Sequence, residues 1–206
     1  MKDLLNLNSA PNAAYSDKTI IYYLFNAGAS QTSINQVSSL SVDDSSEGTI
    51  RYRLFDLDLD QIQESLNNQL KIHWMKIIHK KINTFAIDFV TIPYYGDEEN
   101  EGGSIKTKPK QGTARFAYAS IYVILRNKCY TLTVKYIRKG DTLKDTIDYL
   151  TNEIQNSGFK IKGLYLDREF YTVDVINYLQ NREIPFIIPC VKIGSSGGIQ
   201  KLFKGK

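Results

Sequence analysis

Apolar residues recur along this chain with two different periods, and the change of period divides it. Up to about residue 80 the spacing is helical, with apolar side chains three and four apart. Asp17–Phe25 carries Ile20, Ile21, Tyr23, Leu24 and Phe25. A glycine-bearing turn is expected at Asn26-Ala27-Gly28-Ala29-Ser30, where Gly28 suits a positive φ. Gln31–Leu40 then places Ile34 and Val37 on one helical face. A polar stretch, Ser41–Gly48, precedes a short helix starting at Thr49. A longer one follows over Asp56–Leu70, with Leu59, Ile62, Leu66 and Leu70 as its stripe. Asp56, Asp58 and Asp60 stand where acids favour a helix N-terminus, so they read as capping rather than metal binding.

From Lys81 the pattern becomes strand-like. Ile82–Ile92 is the first strand, with Asp88 inside it. Arg115–Leu125 and Cys129–Ile137 form a hairpin about Arg126-Asn127-Lys128. Leu143, Ile147, Leu150 and Ile154 then define a helix that Gly158 stops. Ile161–Leu166 is a strand ending on Asp167, Tyr171–Gln180 a helix, and Ile184–Val191 an apolar strand punctuated by Pro185 and Pro189. Strand, strand, strand, helix, strand, helix, strand suits an antiparallel meander followed by a crossover to a parallel strand. If that strand pairs with the first, Asp88 and Asp167 come side by side at the carboxyl edge of the sheet, where α/β folds bind ligands. The expected class is α/β: a ribonuclease H-like mixed sheet flanked by helices, with an N-terminal all-α domain. The expected domains are residues 1–80 and 81–206.

Two carboxylates in apolar strands are costly unless paired or shared with a cation. Oxygen-only ligands favour Mg²⁺ or Mn²⁺, and a pair of such ions serves phosphodiester chemistry. Taken singly, Asp88 reads better as an acid satisfied by a lysine or an amide, and Asp167 as a helix N-cap; it is the pair in this element order that points to a shared cation. His73 and His79 share no helix face and read as no ligand pair.

Composition refines this picture only modestly. The 206 residues carry a net charge of +4, which admits a nucleic-acid partner without demonstrating one. The helix–turn–helix outline of residues 17–40 offers Thr32, Ser33, Asn35, Gln36 and Ser39 to bases or phosphates. It fits an ordinary helical hairpin as well. Lys106, Lys108, Lys110 and Arg115 follow an acidic loop and suit either a phosphate backbone or solvent. Lys192, Lys201, Lys204 and Lys206 make the tail basic. Cys129 and Cys190 sit in apolar runs and are expected to be reduced core thiols. No apolar run approaches the roughly 20 residues of a membrane span, and the first residues form no signal-peptide core, so the expected location is cytoplasmic.

The runs Ala86-Ile87-Asp88-Phe89-Val90, Ile92-Pro93-Tyr94-Tyr95-Gly96, Leu166-Asp167-Arg168-Glu169-Phe170-Tyr171 and Ile187-Ile188-Pro189 resemble the DDE transposases of prokaryotic, notably archaeal, insertion sequences. The resemblance covers roughly residues 81–191. It implies metal-dependent cutting and joining of double-stranded DNA at the terminal repeats of an element, with two Mg²⁺ or Mn²⁺ ions in a complete site and a homo-oligomer on DNA as a compatible assembly. Asp88 and Asp167 match the family's first and second catalytic acids and metal ligands; Arg168 beside them becomes a candidate DNA contact. The family's third acid is a glutamate on a later helix, in a pattern of tyrosine, two residues, arginine, three residues, glutamate. Tyr165 and Arg168 begin such a pattern, but Thr172 occupies the glutamate position. The only acids after Asp167 are Glu169, Asp174 and Glu183. The expectation is a transposase core truncated before its third acid. The alternatives are a non-catalytic DNA-binding relic and another ribonuclease H-like nuclease.

Overall fold

A computed structural model describes residues 7, 13–40, 46–55, 57–78, 82–94 and 114–190, with Tyr94, Ala114 and Arg115 described by backbone alone. The chain divides into two compact units, Met1–Gln69 and Leu70–Lys206. The boundary lies inside a helix.

The N-terminal unit is all α. Helix α1 (Asp17–Ser30) starts at Ser16, whose hydroxyl accepts the Thr19 amide at 3.3 Å, relieving one of the unpaired donors of a helix start. The turn expected at Asn26–Ser30 is not there: Gly28 lies within α1, and Gln31 takes the left-handed conformation at φ 52° that ends it. A glycine inside a helix costs stability without forbidding the helix. Helix α2 (Ile34–Ser39) follows, then α3 (Glu47–Phe55). Ile20, Tyr23 and Ile50 are buried together with Leu7, and Ile34, Val37 and Leu54 pack against them. Helix α4 (Leu59–Trp74) starts as expected of an acid-rich N-terminus, with Asp58 Oδ1 accepting the Asp60 amide at 2.8 Å. Asp56 and His79 lie outside the described residues.

The second unit is a five-stranded mixed sheet. Strand β1 (Ile82–Tyr94) pairs antiparallel with β2 (Ala114–Leu125), and β2 with β3 (Lys128–Ile137). Arg126 and Asn127 both have positive φ, 50° and 61°, the signature of a two-residue hairpin whose twist matches its strands. Helix α5 (Leu143–Asn156) begins with a reciprocal cap: the Asp145 amide donates to the Thr142 hydroxyl at 3.0 Å, and Asp145 in turn accepts from the Thr142 backbone. It crosses over to β4 (Lys160–Leu166), parallel to β1. A 3₁₀ turn, Arg168–Phe170, leads to α6 (Val173–Asn181), and β5 (Phe186–Ile187) pairs parallel with β4. The order β3-β2-β1-β4-β5 contains the expected meander and crossover, in a mixed α/β sheet packed by helices.

Several boundaries differ from the sequence reading, and two of them have a clear cause. The last helix begins at Val173, because Thr172 caps it by accepting the Val175 amide. The last strand is two residues long, since Pro185 and Pro189 bracket it and neither can donate to a ladder.

One face of this sheet is packed. Phe85, Ile87, Ala117, Ala119, Ile121, Leu164 and Leu166 are buried against Ile147, Leu150 and Ile154 of α5 and Val175 and Leu179 of α6. Trp74 joins this core, and its indole donates to the Leu132 carbonyl at 3.0 Å. Leu132 is the extra residue where the β2–β3 register shifts, so the indole satisfies an acceptor at an edge-strand bulge. Among the described residues no helix is long and apolar enough to cross a membrane.

Candidate functional site

The parallel register of β1 and β4 decides how the two acids meet. Its last pairs are Ala86↔Tyr165 and Ile87↔Leu166. Asp88 and Asp167 are the next residue of each strand and stand side by side at the carboxyl end of β4, on strands about 4.8 Å apart. Side chains alternate between faces, so Asp88 leaves the face opposite Ile87, away from α5 and α6.

Both carboxylates are exposed. The desolvation penalty expected for acids in apolar strands is therefore absent: Asp88 lies on the unpacked face, and Asp167 stands one residue past the strand. Asp167 does serve as a cap. Its Oδ1 accepts the Arg168 amide at 2.6 Å, and its carbonyl accepts the Phe170 amide at 3.1 Å. This fixes the carboxylate at the start of the 3₁₀ turn and leaves Oδ2 outside that bond.

Around Asp88 the β2 register sets Ser120 directly opposite, with Tyr118 and Tyr122 at the two diagonal positions. Diagonal neighbours lie within reach of aromatic side chains. The Tyr122 phenol is pushed above its ordinary range by burial, then by the negative charge of Asp88 and by Cys129. It therefore keeps its proton at neutral pH. Tyr165, half exposed, extends the same face beside Ala86. Tyr118 and Tyr122 carry no motif that marks them in the sequence. The alternation Phe116, Tyr118, Ser120, Tyr122 was visible, but only the pairing shows that it shares a face with Asp88.

The two cysteines are free but exposed, not core thiols as expected. Cys129 is near the start of edge strand β3, and Cys190 follows Pro189 beyond the end of β5. The Tyr171 phenol is pushed above its ordinary range, with the neighbouring Cys190 thiol the largest cause.

The remaining candidates fare differently. Ser33, Asn35 and Gln36 are exposed on α2, but the Ser33 hydroxyl is engaged as N-cap, accepting the Gln36 amide at 3.2 Å. Arg168 is exposed beside Asp167. Lys106, Lys108 and Lys110, the acidic loop before them and the basic tail lie outside the described residues, as does the side chain of Arg115. Glu169 belongs to the 3₁₀ turn, Asp174 to the first turn of α6, and Glu183 follows α6 at φ 52°.

Two exposed carboxylates on adjacent strand ends offer oxygen donors of the kind Mg²⁺ and Mn²⁺ accept, with room for water or phosphate oxygens. Among the described residues no group of three or more His, Cys, Asp or Glu converges, so a two-ion ligand set is not completed there. A separate groove of about 900 Å³ lies between α5 and α6, lined by Asp145, Asp148, Asp174, Tyr178 and Arg182. Tyr178 donates to Asp148 at 2.8 Å, and Arg182 donates to Asn152 and Gln155 at 2.8 Å. Those bonds join the two helices.

No protein-family model matches the chain, and a search of curated proteins finds no similar one. Among solved structures, the chain is similar to the Drosophila P element transposase strand transfer complex, at 12% identity and a TM-score of 0.44, over 84% of this chain and 37% of that one. It is similar to the piggyBac transposase synaptic complex with hairpin DNA at 14% identity and a TM-score of 0.44, over 87% and 43% of the two chains. The Mos1 mariner paired end complex with Mn is similar at 12% identity and a TM-score of 0.32, over 86% and 60%. This chain thus spans from 37% to 60% of the length of the chains it matches.

Proposed function

We propose that this chain is part of a DDE-type DNA transposase, and that Asp88 and Asp167 are two of the acids of its metal-dependent phosphodiester chemistry. The observation that carries the reading is the parallel pairing Ile87↔Leu166, which puts an acid at the next position of each strand. The motif resemblance around the two acids supplies the class of reaction. The substrate is double-stranded DNA at element ends, contacted by the helices of the N-terminal unit and by Arg168.

In this reading Asp88 and Asp167 hold a divalent cation through their carboxylate oxygens. Bound there, such a cation neutralises phosphate charge and lowers the pKa of an attacking hydroxyl. The chain's own part is to orient the pair. Asp167 is held by its bond from the Arg168 amide, and Asp88 projects from a strand paired on both sides. Tyr122, protonated at neutral pH, adds no negative charge beside Asp88.

A second reading is a DNA-binding protein without catalysis. It is favoured by the lack of a third converging acid among the described residues.

One experiment separates the two. The purified chain is incubated with plasmid DNA carrying the element ends and Mg²⁺ or Mn²⁺, and cutting and retention are both scored. Catalysis predicts cutting that Asp88→Asn and Asp167→Asn each abolish. Retention without cutting establishes the second reading. Cutting that survives both substitutions sinks the assignment of the two acids.

A further inference from the structure

Asp88 and Phe89 are consecutive residues of β1, so their side chains leave opposite faces of the sheet. Phe89 points to the packed face. Its ring stacks on that of Phe170, with centroids 4.8 Å apart and 7° between the planes. Phe170 is fully buried in the main core, and Phe89 is half-buried against it. Phe170 is also the residue whose amide donates to the Asp167 carbonyl, closing the 3₁₀ turn that Asp167 begins. One ring is therefore joined through a single backbone bond to Asp88, and the other through one short turn to Asp167.

The position of this stack matters because of where the backbone pairing stops. The β1–β4 ladder ends at Ile87↔Leu166. Asp88 and Asp167 both lie one residue beyond that last register pair, where the two strands are no longer matched residue to residue. The Phe89–Phe170 stack is a side-chain contact between the two strand ends just past that pair. Offset parallel aromatic pairs have a preferred geometry and contribute beyond simple area burial, so the stack resists both sliding and splaying of the two strand ends.

We propose that Phe89 and Phe170 are positioning residues for the carboxylate pair: by stacking behind the sheet they set the separation and orientation of Asp88 and Asp167, and so the affinity of the pair for a divalent cation. This rests on the reading of Asp88 and Asp167 as cation ligands given above. Neither phenylalanine touches the cation or the substrate.

The test is Mn²⁺ binding to the full chain, followed by electron paramagnetic resonance of the free ion, in the absence of DNA. Phe89→Leu keeps an apolar side chain and removes the stack; Phe89→Met is a second such variant should the first fold poorly, as judged by circular dichroism. Phe89→Tyr retains the ring. Ile154→Val, a mild trim of the core in α5, reports what general loosening does. The expected result is an Mn²⁺ affinity about three- to tenfold weaker in Phe89→Leu and Phe89→Met, as loss of an aromatic pair would give, and near wild type in Phe89→Tyr and Ile154→Val. Wild-type affinity in Phe89→Leu and Phe89→Met, with Asp88→Asn abolishing binding, overturns the positioning role and leaves the cation reading intact. An equal loss in Ile154→Val also overturns the positioning role. Undiminished binding in both Asp88→Asn and Asp167→Asn overturns the cation reading itself.

Discussion

The face of the sheet under α5 and α6 and the face that carries Asp88 are built from the same strands in alternation, yet they have different fates. On the packed face Phe85, Ile87, Ile121 and Leu164 are almost wholly buried. On the other, Ile92 and Ile124 are more than half exposed and Tyr165 is half exposed, with Asp88 among them. A charged side chain at position 87 would have to be desolvated beneath two helices; at position 88 it remains in water. The packed face therefore holds the strands together, and the open face is where an acid is retained at little cost. Register makes the difference, since a slip of one residue exchanges the two sets.

The comparison can be broken most severely from the packed side. Leu150→Ala removes a fully buried side chain of α5 and is expected to cost about 2–5 kcal/mol of stability. Asp88→Asn on the open face is expected to change stability by less than about 0.5 kcal/mol. Urea titrations of the two variants test the contrast. A large loss from Asp88→Asn would mean that the open face is structural after all.

A smaller effect comes from the rim of the packed face. Trp74→Phe keeps most of the ring's burial but leaves the Leu132 carbonyl without the indole N–H that reaches it at 3.0 Å. The expected cost is about 1–2 kcal/mol, read from the urea midpoint followed by circular dichroism.

The smallest concerns the turn from β3 into α5. Asp141 is raised by burial, but the Arg138 amide and the Lys135 ammonium, 2.9 Å and 2.6 Å from its carboxylate, outweigh this and hold it below the usual carboxylate range. A carboxyl depressed on folding stabilises the protein above its unfolded pKa, about 4, and that stability is lost as pH falls through the folded value. Asp141→Asn is expected to cost about 1 kcal/mol at neutral pH, with the difference from wild type shrinking below about pH 4. A difference that stays constant down to acid pH would exclude the charge interaction.

Much of the sheet unit was legible because its signals are local. The Arg126-Asn127 hairpin, the α5 stripe and the Gly158 stop each depend on residues close in sequence. So did the element order, from which the meander and the crossover followed. The helical front was read less accurately. Gly28 suggested a turn that Gln31 makes instead, because a glycine permits positive φ without requiring it. The fate of the cysteines was misread for a related reason: an apolar run does not say which of its residues face the core or where the strand stops.

The sequence by itself determined the elements, their order and the two acids at comparable places in their strands. Those follow from short-range periodicity and backbone preference. Only the tertiary structure decided that β4 pairs with β1 in a register that carries Asp88 and Asp167 one step past Ile87 and Leu166. It alone decided that both acids are exposed, that Tyr118 and Tyr122 flank Asp88, and that Phe89 stacks on Phe170 behind them. These relations join residues from about thirty to about eighty positions apart. No local propensity encodes them, because they depend on which apolar faces the whole chain buries together.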